Sequence, residues 1–95
     1  MKLKEIFYPT PLDEIQDIYN DNIDVIIRLE NNQSFALVVA TPENLITLMK
    51  NDNQPYISPG LPFAIVEKLT KENITQLVQA FLKAPEYLHL YGCNN

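Results

Sequence analysis

The sequence predicts an α+β fold: a small antiparallel or mixed sheet of three to four strands packed with three helices, in the order helix, hairpin, helix, strand, helix. Three observations carry this. Two neighbouring runs, Ile23, Val25, Ile27, Leu29 and then Phe35, Leu37, Val39, place large apolar side chains at every second position, the period of a strand. Three threonine-led signals, Thr10-Pro11, Thr41-Pro42 and Thr70-Lys71, open helices, and each is followed by acid in the first turn. Ile74, Leu77, Val78, Phe81 and Leu82 form one apolar stripe at helical spacing. The 95 residues hold a single core, so residues 1–95 are read as one domain. A chain of this size buries about 65 % of its unfolded surface, enough to fold without disulfides.

Taken in order, residues 2–8 read as a short edge strand. The first helix covers about 11–20 and offers Leu12, Ile15, Ile18 and Tyr19. The hairpin follows. A two-residue turn at Asn31-Asn32 would pair Ile27 with Ala36 and divide the large side chains between faces. A three-residue loop, Glu30 to Asn32, pairs Ile27 with Phe35 and Val25 with Leu37 and unites them. That loop needs a left-handed residue at its end, which asparagine tolerates. Val25-Ile26-Ile27 is apolar on both faces, so this strand is placed in the middle of the sheet.

The second helix runs from Pro42 to about Asn51, with Leu45, Leu48 and Met49 inward. Residues 54–62 carry three prolines and form a stiff loop. A third strand spans Pro62 to Leu69, with Phe63, Ile65 and Leu69 on the core face. The last helix stops near Lys83, because Pro85 disfavours helical geometry at Ala84. Phe81 on that helix is expected between the sheet and Leu48 or Met49. The tail, residues 87–91, alternates and is compatible with a strand. The other sheet face collects Ile26, Ala36, Val38, Ala64 and Val66; either the first helix covers it or a second subunit does.

Charge bounds function. The net charge is −5, and only seven Lys and Arg are present, scattered along the chain. A nucleic-acid ligand is excluded on that ground, since it needs a cationic face. No run approaches the roughly 20 apolar residues of a membrane helix. One cysteine allows no internal disulfide, and the N-terminus lacks a secretory pattern, so the cytoplasm is the expected compartment. Residues 1–52 hold nine acids against four bases, whereas residues 53–95 balance at three of each. The excess gathers at Asp13, Glu14, Asp17, Asp21 and Asp24.

A search for chemistry yields little. His89 and Cys93 are the only histidine and cysteine, both in the tail with nothing to orient them. Zinc needs more such ligands than the chain owns. Asp13, Asp17 and Asp21 lie four apart but lack the glycine turn of a calcium loop. With Gly60 and Gly92 alone, no glycine-rich phosphate cradle is written. No catalytic residue, metal or cofactor is therefore assigned.

Three segments carry a resemblance: residues 24–32, DVIIRLENN; residues 41–49, TPENLITLM; and residues 65–70, IVEKLT. Over roughly residues 23–83 the chain resembles a family of small uncharacterised bacterial proteins, with a Leu-Glu-Asp-Gly-like hairpin and a Thr-Pro-x-Asn helix start. Asn32 stands where that pattern has glycine. The resemblance implies a bacterial α+β protein and no activity.

The expectation is a non-enzymatic, acidic protein-interaction domain whose partner is a protein, of basic character, or a second copy of the chain. An immunity- or antitoxin-type inhibitor of a basic toxin is one version; a self-associating structural or regulatory module, a homodimer burying at least about 1,000 Å², is another. The candidate partner surface comprises Asp13, Asp17, Asp21 and Asp24 with the aromatic Tyr56, Tyr87 and Tyr91.

Overall fold

The computed structural model describes residues 2–60 and 62–94. Leu61, inside the loop expected over 54–62, lies outside the described residues. The chain runs β1 (Leu3–Phe7), a 3₁₀ turn (Leu12–Glu14), β2 (Asn22–Leu29), β3 (Ser34–Ala40), α1 (Pro42–Asn51), β4 (Phe63–Ile65), α2 (Lys71–Lys83), α3 (Pro85–Tyr91) and β5 (Cys93–Asn94). This is an α+β fold with a mixed sheet and three helices. The strand order is β1-β2-β3-β4, with β5 also on β3. Among the described residues no helix is long and apolar enough to cross a membrane.

The hairpin takes the register that unites its apolar residues. Ile27 stands opposite Phe35 and Val25 opposite Leu37. Asn32 adopts a left-handed φ of 69°. The loop is tied by Asn31, whose side-chain Oδ1 accepts from the Gln33 N–H at 3.0 Å. On the other side of β2, β1 pairs antiparallel through a register shift between Leu3 and Glu5. Beyond β3 the free edge is shared: β4 pairs parallel with residues 38–40, and β5 antiparallel with residues 35–36.

The core lies between one sheet face and α2 with α3. Val25, Ile27, Phe35, Leu37 and Val39 meet Ile74, Val78, Phe81 and Leu88 there, all buried. Both long helices begin as expected: the Thr41 and Thr70 hydroxyls accept from the N–H groups of Asn44 and Asn73, each at 3.2 Å. α2 ends at Lys83, and Ala84 leaves helical geometry at φ −133°, ψ 68°.

Four expectations are corrected. The first helix, placed over 11–20, is absent; a single 3₁₀ turn stands there. The backbone of this segment is claimed by distant partners. The Ile18 carbonyl accepts from the Leu69 N–H at 2.8 Å, and that of Tyr19 from the Thr41 hydroxyl at 2.7 Å. Asp17 caps its own tight turn, its carboxylate accepting from the Tyr19 N–H; such short polar side chains compete with helix. Second, the tail is helical rather than extended. Pro85 sits in its first turn, where a missing N–H costs nothing, and Leu88 is its buried residue.

Third, the faces of β4 are exchanged. Ala64 and Val66 belong to the core, while Ile65 is 41 % exposed. Both parities of this strand are apolar, so alternation carries no information. Pairing decides: Ala64 lies beside inward-facing Val39, and the Val66 N–H donates to the Ala40 carbonyl. The outer face thus keeps only Ile26, Ala36 and Val38 of the set expected on it, all half-buried. Leu12 and Ile15 do not cover it; they pack against the core cluster. Phe7 of β1 stands opposite Ile26 there, with the Arg28 guanidinium 5.0 Å from its ring. Fourth, the strand expected over Pro62 to Leu69 is shorter: β4 spans Phe63–Ile65, and the chain leaves the sheet once the Val66 N–H has met Ala40. Phe81 is buried, and its ring meets that of Tyr91 edge to face at 5.5 Å.

Candidate functional site

Where α2 bends into α3, the helices stand away from β4. The bend follows from Pro85, and it turns α3 so that Tyr87 and Tyr91, four residues apart, project along one side. Between them and the strand lies a groove of about 510 Å³. All three residues of β4, Phe63, Ala64 and Ile65, form one wall; Leu77, Ala80, Phe81 and Ala84 form the floor, and Tyr87 and Tyr91 the far wall. Apart from the two phenol hydroxyls, the side chains are apolar, and among the described residues no charged one lines the groove. Ile65, Tyr87 and Tyr91 remain 41, 51 and 37 % exposed. Large apolar groups left together at a surface mark a binding place.

The groove continues along the same strand. A second depression of about 350 Å³ shares Ile65 and Leu77 with the first and adds Val66, Glu67, Asn73 and Gln76. The apolar section therefore passes into a polar one that carries a carboxylate.

Of the residues singled out in the sequence, Tyr87 and Tyr91 come together in this groove. Tyr56 is exposed elsewhere, in the loop after α1. Asp13 is exposed on the 3₁₀ turn, and Asp24 on the outer face of β2. Asp17 and Asp21 each accept a hydrogen bond from a backbone N–H nearby, at 2.9 and 2.8 Å, so these two carboxylates serve the chain locally. Sequence reasoning missed Ile65, Leu77 and Ala80. Periodicity places Leu77 and Ala80 only on a helix, and Ile65 on the core face of a strand; no sequence signal distinguishes a wall of a groove from a core position when both are apolar.

A polar cluster joins the N-terminus of α1 to the segment before β2. The Asn44 side chain accepts from Asn22 Nδ2 at 2.8 Å and donates to Asn20 Oδ1 at 3.2 Å, while Asn20 Nδ2 donates to Thr47 Oγ1 at 2.9 Å. Thr41 and Asn44 are buried, and both are hydrogen-bonded. This network holds the chain in place of the helix that does not form.

His89 is exposed, its ring edge to face with Phe35 at 5.3 Å. The side chain of Cys93 lies outside the described part of the structure. Among the described residues no three His, Cys, Asp or Glu side chains converge to hold a metal ion. Compared with family models, curated proteins and solved structures, the chain matches none of them.

Proposed function

We propose that this protein is a non-enzymatic interaction domain that binds a protein partner in the groove between β4 and α3. The observation that carries the reading is the grouping of Ile65, Tyr87 and Tyr91, large apolar side chains left partly exposed around a concave, uncharged wall. Tyrosine supplies wide contact area with few rotamers to freeze, which suits it to interfaces. The net charge of −5 favours approach of a basic partner by electrostatic steering. A cytoplasmic setting accompanies this reading, since a single cysteine gives the chain no internal disulfide to protect.

Site-specific photo-crosslinking in intact cells tests it. A benzophenone side chain in place of Tyr87 should trap a defined polypeptide, identified by mass spectrometry, and the same group at Tyr56 should not. Equal labelling at both positions, or none at Tyr87, overturns the reading.

A further inference from the structure

We infer that the groove takes an extended, apolar and basic polypeptide segment, which adds as a strand to the free edge of β4. The inference deepens the reading above and rests on it. The first support is the edge itself. Among the described residues β4 is terminal in the strand order, paired with β3 on one side only. Because the Val66 N–H is turned to β3, where it meets the Ala40 carbonyl, the alternation of a parallel strand turns the backbone groups of Phe63 and Ile65 the other way. Their N–H and C=O groups thus point away from β3, and Phe63, Ala64 and Ile65 all line the groove. An extended chain laid there gains backbone hydrogen bonds that no folded surface of another shape supplies.

The second support is the match between strand periodicity and the groove wall. An added strand presents alternate side chains to the helices and to the opposite face. One such side chain meets Phe81, Tyr87 and Tyr91, where the lining is apolar. Further along the strand the lining becomes Glu67, Asn73 and Gln76. A lysine or arginine of the segment belongs there, opposite the carboxylate. The occupant is thus a linear segment with apolar residues at every second position and a basic residue at one end. An amphipathic helix would leave the outward groups of Phe63 and Ile65 unused.

Panning a phage-displayed library of random twelve-residue peptides on the full chain tests this, with amide exchange and NMR shifts mapped on the best binder. The expected result is enrichment of alternating apolar residues flanked by Lys or Arg, with the Ile65 amide exchanging slowly only in the complex. Ile65→Pro removes an N–H that β3 does not use, and should weaken binding by about two- to tenfold. Ala80→Lys places a cation on the exposed floor, against the apolar lining and opposed to the basic segment, and should weaken binding by more than about tenfold without disturbing the fold. Enriched peptides with helical spacing, or binding that leaves the Ile65 amide unprotected, overturns strand addition while the interaction reading stands. Absence of any enriched sequence overturns strand addition as well. So does an Ile65 amide already protected in the free protein with a doubled sedimentation mass, which assigns the edge to a second copy of the chain. Failure of the crosslink at Tyr87 is a separate result that removes the interaction reading itself.

Discussion

The hydroxyl of Thr41 donates a 2.7 Å hydrogen bond to the backbone carbonyl of Tyr19, 22 residues earlier in the chain. The same oxygen accepts from the Asn44 N–H and so caps α1. One side chain therefore starts a helix and anchors an irregular segment. Thr41→Val keeps the shape but removes the partner of both the Asn44 N–H and the Tyr19 carbonyl, at a side chain that is itself fully buried. It should cost about 2–4 kcal/mol, a lost cap together with a stranded carbonyl. Thr41→Ser, which keeps the hydroxyl, should cost less than half of that. Urea titration of the two variants checks the difference.

Asn32 closes the hairpin loop at φ 69°, a conformation that costs an asparagine little and a glycine nothing. Asn32→Gly should raise stability by a few tenths to about 1 kcal/mol, the loss of unfolded-state order offsetting part of the gain. Asn32→Val should lower it by more than 1 kcal/mol, roughly, because a β-branched residue resists that region. Thermal melts of the two variants should shift in opposite directions.

Gly92 lets the end of α3 cross the sheet closely. A Cβ there would stand 2.9 Å from the Leu88 carbonyl oxygen and 3.2 Å from Phe35 Cβ. Backbone cannot yield as a flexible side chain does. Gly92→Ala should cost about 1–3 kcal/mol and loosen β5 from β3. Faster amide exchange at Ala36, with the hairpin loop unchanged, is the expected signature.

The Tyr8 hydroxyl is buried without a hydrogen-bond partner among the described residues. Burial pushes the phenol above its usual range; Thr75 lies near enough to offset part of this, though outside hydrogen-bonding geometry. The folded chain then holds the phenol proton more tightly than the unfolded chain, so stability falls as pH rises past the ordinary value near 10. Tyr8→Phe removes the stranded group. At pH 7 it should leave stability equal or higher by up to about 1 kcal/mol, and it should flatten the decline above pH 10. A variant less stable than the parent at pH 7 would show that the hydroxyl is satisfied in solution.

The sequence by itself determined those features whose cause is local or periodic. Thr41 and Thr70 cap helices because the hydroxyl and the N–H it accepts from lie three residues apart. α2 ends before Pro85 because that ring acts on the residue before it. The pairing of Ile27 with Phe35 followed from one constraint, that large side chains share a face. Tertiary structure alone decided the rest. The segment over 11–20 has a helix-start signal, yet Ile18 and Tyr19 give their carbonyls to Leu69 and Thr41. Ala64 turns inward, and Phe63 and Ile65 outward, because the partner strand β3 sets the phase of a run that is apolar at every position. The groove followed from both: Tyr87 and Tyr91 were legible as aromatic, but only the bend at Pro85 and the phase of β4 bring them opposite Ile65. Periodicity records which side chains share a face of one element; which neighbour that face meets depends on contacts between residues far apart in the chain, and a local pattern does not encode them.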